Sequence, residues 1–216
     1  MKKSKKITKL VLIGGGGHAK VVIDILRSYP SLELIGIIDR DLERRSQKVL
    51  DIPIIGDDSI LTELIMNGIS YTFVAIGNNS LRKKLFEKTA ELGFQFINTI
   101  HPKAIVSSYT KLGQGIAIMG GVTINAECVV DDNVIINTGA NIDHECRIAK
   151  HVHVAPGVTL SGNVTIGEGA FIGAGATVIQ GMCIGENAIV GAGSVVLCDV
   201  VHNTTVVGVP AKVITG

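Results

Sequence analysis

The chain has 216 residues, 46% of them hydrophobic, with 20 Lys and Arg against 19 Asp and Glu and a formal net charge of +1. That balance gives no electrostatic case for a nucleic-acid-binding protein, and the length holds one large domain or two small ones. Its four cysteines lack framework spacing, which fits a reducing compartment where they pack as small hydrophobes rather than as disulfides or metal ligands.

The chain opens on a basic tag, Lys2, Lys3, Lys5 and Lys6, read as a solvated tail. Only Leu10 to Ile13 are continuously apolar before four glycines intervene, far short of a signal-peptide core or a membrane span. No membrane association and a cytoplasmic location are therefore expected. Lys9 to Ile13 predicts a strand, Gly14-Gly15-Gly16-Gly17 a turn, and His18 to Tyr29 an amphipathic helix burying Val21, Val22, Ile25 and Leu26, stopped by Pro30. A second apolar run, Leu34 to Ile38, ends at Asp39-Arg40-Asp41 and completes a β-turn-α-β layout of the nucleotide-binding kind.

A helix around Ser59 to Met66, a strand Tyr71 to Ile76, a helix Ser80 to Leu92 and a strand Phe94 to Thr99 follow. With about four parallel strands this α/β unit is half-Rossmann-like, too small for the paired halves of a full dinucleotide fold. Gly14-x-Gly16-x-x-Ala19 formally matches the dinucleotide fingerprint. Backbone amides of the turn and the positive end of the next helix suit any diphosphate, whatever it carries. The plain alternative is a tight strand-to-helix turn with no ligand.

From Val106 to Val196 an aliphatic residue recurs at every sixth position, sixteen times without a gap. Neither a helix nor an open strand yields that period, whereas a parallel β-helix with three flat faces does. A second inward position falls four residues after each aliphatic, carries nothing charged and includes Cys128 and Cys146, while Cys183 and Cys198 are expected outside. Sixteen hexapeptides make about five coils, on the order of 25 Å tall at a strand spacing of about 4.8 Å. The expected organisation is an α/β domain over 1–101, handing over at Ile100-His101-Pro102, and a β-helix domain over 102–216. Outward Ile135, Phe171 and Ile189 leave apolar faces that a closed symmetric oligomer would cover.

Of the histidines, His144, His151 and His153 cluster. His144-Glu145 falls on a corner, and His153 at an outward position. Three readings compete: exposed polar turn residues, a metal site, and general-base chemistry. The zinc-protease helical motif is absent and no third ligand accompanies the His151-x-His153 pair, so no metal is expected. As a base, the His144 imidazole would accept the proton released when a nucleophile attacks, with the Glu145 carboxylate orienting the ring.

The repeat resembles the left-handed β-helix of the hexapeptide-repeat acyltransferases. The glycine turn followed by His18-Ala19-Lys20, joined to a prism carrying Asn137 and, seven residues on, His144-Glu145, resembles more narrowly the family of the sialic acid O-acetyltransferases and nucleotide-4-amino-sugar N-acetyltransferases, including UDP-bacillosamine-pathway enzymes. This resemblance implies a left-handed prism, a homotrimer, and acetyl-CoA in the groove between neighbours. It implies that Gly14, Gly15, Gly16, Gly17, His18 and Asp39 surround the nucleotide of the substrate, that Asn137 is an active-site asparagine, and that His153 lies near the acetyl end of the cofactor. Gly173, Ala174, Gly191 and Ala192 lack bulk and would let a pantetheine arm approach, although they also suit plain turns. Lys212, in the tail Val207-Gly208-Val209-Pro210-Ala211-Lys212, would meet a coenzyme A phosphate. The expected function is acetyl transfer from acetyl-CoA to the 4-amino group of a nucleotide-linked sugar, with UDP the expected carrier, for surface glycan synthesis. The rivals are O-acetylation of sialic acid or another sugar and, in another class, a non-catalytic nucleotide-sugar-binding scaffold; a nicotinamide enzyme is remote.

Overall fold

The computed structural model describes residues 7–41, 43 and 47–214; the lysine tag at 2–6 lies outside them. The chain divides into two compact units between Thr99 and Ile100.

In the first unit, β1 (Thr8–Ile13) is followed by α1 (Gly17–Leu26), β2 (Leu32–Ile38), β3 (Lys48–Val49), β4 (Ile52–Gly56), α2 (Leu61–Met66), β5 (Tyr71–Val74), α3 (Asn79–Glu91) and β6 (Gln95–Phe96). The sheet order is β3-β4-β2-β1-β5-β6, all parallel except the β3–β4 pairing. This corrects the count of four strands: the β3–β4 hairpin was not anticipated, because Pro53 within a five-residue run reads as a loop. The expected strand to Thr99 is also split, with Gln95–Phe96 closing this sheet and Thr99–Ile100 forming the first rung of the prism. Helix α1 buries Ala19, Val22, Ile23, Ile25 and Leu26, whereas Val21 is 44% exposed, a correction that follows from its place off the 19-22-23-26 stripe. Asn78 caps α3 by accepting from Leu81 N at 2.9 Å, and Asp57 accepts from Ser59 N at 2.9 Å.

β1 is flanked by β2 on one side and β5 on the other, so the chain leaves its C-terminal end toward one neighbour and returns on the opposite side. In open α/β sheets such a switch point leaves a crevice at the strand ends. Gly14 follows β1 and Asp39 follows β2, which brings both to that crevice.

The second unit is a three-faced prism of two-residue rungs, and all sixteen expected aliphatics are the second residues of rungs, from Ile105–Val106 to Val195–Val196. Rungs pair in parallel with the rung one coil, 18 residues, further on: Ile118 with Ile136, Ile136 with Val154, Val154 with Ile172. From Ile118 to Val196 every one of these aliphatics is at most 2% exposed. Val106 and Leu112 are half-buried because they belong to the first, open-ended coil. Cys128 and Cys146 are buried inside and Cys183 and Cys198 exposed. The corners show why the repeat is so regular: from Gly115 to Gly193 the third residue after each aliphatic has positive φ, filled by Gly, Asn, Glu or, at His151, histidine.

We call the face holding Ile135–Ile136 and His153–Val154 the first, that holding Asn141–Ile142 and Thr159–Leu160 the second, and that holding Arg147–Ile148 and Thr165–Ile166 the third. Ile135 is only 1% exposed and Phe171 half-buried, so of the three outward apolar residues only Ile189, at 44%, lies open in the single chain.

Candidate active site

His144 stands on the corner between the second and third faces, and hydrogen bonds hold both its backbone N–H and its backbone carbonyl. Asp143 accepts from His144 N at 2.9 Å and from Asn125 Nδ2 at 2.8 Å, while Asn163 N donates to His144 O at 2.8 Å. The Asn125 bond and the His144 amide hold the Asp143 carboxyl below the usual carboxylate range. The His144 side chain is 57% exposed and its Nδ1 lies 3.0 Å from Glu145 Oε2. An ionised carboxylate only accepts, so Nδ1 carries the hydrogen and the neutral ring presents its lone pair at Nε2. Glu145 adopts φ 61°, the left-handed turn position, which swings its carboxylate back beside the ring that precedes it. An open cavity of about 530 Å³ adjoins them, walled by His144, Ser161, Gly162, Asn163 and Gln180.

Asn137 and His153 form a second group at the other end of the second face, where the first face turns into it. Asn137 Oδ1 accepts from Thr138 N at 2.8 Å, which aims its Nδ2 at His153 Nε2, 3.2 Å away. The His153 ring packs edge-on against Phe171 with centroids 5.2 Å apart. The outward alternation of His153 is as expected, but the residue is only 8% exposed: outward from the prism is not outward to water. A single chain therefore does not bring His144 and Glu145 together with Asn137 and His153. His151 lies apart, at 4% exposure, with Nδ1 2.7 Å from Asn133 Nδ2. Among the described residues no group of three His, Cys, Asp or Glu side chains is arranged to hold a metal ion.

The glycine turn lines a cavity of about 330 Å³ with Asp39, Arg40, Asp58 and apolar residues including Ile76 and Leu85. Asp39 Oδ2 accepts from Gly15 N at 2.8 Å and its Oδ1 from Asp41 N at 3.0 Å. One amide expected to face a diphosphate is thus engaged by a carboxylate. Gly14 needs its glycine for φ 96°, and at Gly15 a Cβ would lie 2.7 Å from Asp39 Oδ2, whereas nothing lies within 4 Å of a Cβ at Gly16 or Gly17. Gly17 opens α1 and His18 follows it, and neither is among the residues that line the cavity. His18 Nε2 is buried without a hydrogen-bond partner; burial, then the Arg82 guanidinium, lower its pKa to about 4, so the ring is neutral.

Gly173 and Gly191 stack at the corner between the first and second faces, with Ala174 and Ala192 beside them. A Cβ at Gly173 would lie 2.5 Å from Ala192 N, so coil stacking by itself requires that glycine, whereas one at Gly191 would meet a Val207 methyl at 2.6 Å, a side-chain contact. Lys212 lies on a short exposed strand, Lys212–Val213, antiparallel to Thr205–Val207.

Two polar clusters were not anticipated. Asp58 Oδ2 accepts from Arg40 Nη2 at 2.8 Å and Lys88 Nζ at 3.1 Å; burial pulls its carboxyl upward, but these bonds outweigh burial and hold it below the usual range. Arg82 is 1% exposed and donates to the carbonyls of Ile76 and Gly77 at 3.3 and 3.2 Å. Its signal was present in the sequence: Arg82 shares the buried stripe of α3 with Leu85, Phe86 and Thr89, where an arginine needs polar partners.

A glycine-turn α/β unit followed by a hexapeptide prism with a His–Glu corner defines a class, the hexapeptide-repeat acyltransferases. The "PglD N-terminal domain" family model matches residues 9–89, and the "Bacterial transferase hexapeptide (six repeats)" model matches residues 145–180 and 163–198. A variant of perosamine N-acetyltransferase from Caulobacter crescentus, solved with CoA and GDP-perosamine, is 46% identical over 99% of this chain and 100% of its own, with a TM-score of 0.93. The acetyltransferase domain of PglB from Neisseria gonorrhoeae FA1090, solved with acetyl coenzyme A, is 38% identical over 96% of this chain and 100% of its own, with a TM-score of 0.89. The UDP-N-acetylbacillosamine N-acetyltransferase of Bacillus subtilis (strain 168) is 36% identical over 115 residues, which are 51% of this chain and half the length of that enzyme. The chain belongs to the hexapeptide-repeat N-acetyltransferases of nucleotide-linked amino sugars that carry a PglD N-terminal domain. Its fold is the half-Rossmann-like α/β domain followed by the left-handed parallel β-helix of that family. Among the described residues no helix is long and apolar enough to cross a membrane.

Proposed function

We infer that the chain is an acetyl-CoA-dependent N-acetyltransferase acting on the 4-amino group of a nucleotide-linked sugar, a step towards a surface glycan. The observation that carries this reading is the corner pair, with Nδ1 of His144 held by Glu145 at 3.0 Å and Nε2 left to face an open cavity. The sugar nitrogen attacks the thioester carbonyl carbon and a C–N bond forms. His144 Nε2 accepts the proton released from that nitrogen, and Glu145 stabilises the resulting imidazolium. The C–S bond then breaks, and the departing thiolate takes the proton. Acetyl-CoA is a cytoplasmic metabolite, so the reaction belongs there.

The site is shared between copies in this reading. Asn137 and His153 lie one face-width from His144 in the same chain, and a closed trimer of prisms gives each His144 a neighbour's Asn137 and His153. The Asn137 amide or a backbone N–H then meets the oxygen that turns negative in the tetrahedral intermediate. The glycine turn, His18 and Asp39 serve the nucleotide, Gly173, Ala174, Gly191 and Ala192 the pantetheine arm, and Lys212 a phosphate.

The test offers acetyl-CoA with UDP- and GDP-linked 4-amino sugars and, separately, free sialic acid, recording thiol release and product mass. An N-acetylated nucleotide sugar is the expected product. Turnover of sialic acid alone would move the chain to O-acetylation, and nucleotide-sugar binding without thiol release would leave it a scaffold.

A further inference from the structure

We infer that Gly162 is a positioning residue for His144: the missing side chain at 162 is the seat of the imidazole. The inference deepens the reading of His144 as the base and rests on it. Gly162 stands one coil beyond His144 on the same corner, in the wall of the same cavity. A Cβ built on it would lie 2.5 Å from His144 Cε1, 2.7 Å from Nε2 and 3.1 Å from Nδ1. Its three nearest neighbours are thus all atoms of one imidazole.

The contrast with other corner glycines separates this role from an ordinary turn. Gly121, Gly139, Gly157, Gly175 and Gly193 are needed for positive φ, between 68° and 74°. Gly167, Gly173 and Gly185 are needed because a Cβ would strike backbone of the next coil at 2.3 to 2.6 Å. Gly162 meets neither demand: its φ lies outside the left-handed region, and its hypothetical Cβ meets a half-exposed side chain that can turn away. Alanine at 162 therefore leaves the coil able to form and displaces the ring. Nε2, the atom that must reach the substrate, is among the atoms displaced, and Nδ1 is drawn from the Glu145 carboxylate.

Displacing a catalytic group by about 1 Å costs on the order of a hundredfold in rate. Gly162→Ala is accordingly expected to lower kcat by about ten- to a hundredfold, with little change in KM for either substrate and an unchanged sedimentation profile. Because the loss acts through the ring, Gly162→Ala should cost nothing further in a His144→Ala background. The ring is also read directly: with 13Cε1-labelled histidine, the resonance that disappears in His144→Ala should shift in Gly162→Ala while those of the other histidines stay. Wild-type kcat with an unmoved resonance would overturn the inference, as would an equal additional loss in the double variant. If His144→Ala itself turns over normally, the base reading fails, and the resonance alone then decides whether Gly162 seats the ring.

Discussion

His144 and His153 belong to the same repeat and differ in what surrounds them. The first stands 57% exposed with a carboxylate on Nδ1; the second is 8% exposed between an amide and an aromatic ring. Replacing an exposed turn residue by Ala costs within about 0.5 kcal/mol, whereas removing a general base costs about 10² to 10⁴ in rate. His144→Ala is therefore expected to fold, bind both substrates and turn over at least about a hundredfold more slowly, with Glu145→Ala losing less, as steady-state kinetics on the identified substrate would show. His18 makes a different prediction. Its folded pKa of about 4 lies below the ordinary 6.5, so between those values the unfolded chain takes up a proton that the folded chain refuses. Its contribution to stability is complete above pH 6.5 and is lost as the pH falls towards about 4. Urea midpoints measured across that window should fall less steeply for His18→Gln than for the parent chain; equal slopes would show that His18 is not the group responsible.

At the scale of elements, the repeat was legible to the rung because inward packing allows only aliphatics at one position and left-handed corners favour Gly and Asn at another. The His144–Glu145 pair was legible for a related reason, since a polar pair at a corner has nowhere to point but out. What stayed hidden depends on neighbours that periodicity does not report. Burial of Ile135 and His153, the Arg40–Asp58–Lys88 cluster and the seat at Gly162 are all contacts between residues distant in sequence. The glycine turn divides in the same way: four glycines announce a turn, but only the fold shows that Gly15 is tied to Asp39 while Gly16 is open. Gly16→Val is expected to raise KM for the sugar nucleotide with the fold intact, by projecting into open space over the turn. Gly15→Ala, which must disturb the Asp39 bond, should raise it and lower stability as well. Calorimetry alongside kinetics tells the two apart; equal loss of affinity for acetyl-CoA would mean that neither acts through the nucleotide.

For the whole molecule, the separation of the two polar groups across the second face gives the sharpest test of assembly. A trimer is expected by sedimentation at micromolar concentration. Mixing His144→Ala chains with Asn137→Ala chains during refolding should then restore part of the activity, because some grooves receive an intact corner from one copy and an intact Asn137 from its neighbour. No recovery in mixed trimers would confine the site to a single chain. The other end of the prism has a consequence of its own. On the first face the last coil is not left as a parallel edge: Thr205–Val207 joins the ladder, and Lys212–Val213 folds back along it antiparallel. A stack of parallel rungs is by nature a template for more of the same, and an uncapped prism would accept another prism end to end. The reversed strand presents the opposite polarity to any newcomer, so on that face the parallel ladder cannot simply be continued by the rungs of another prism.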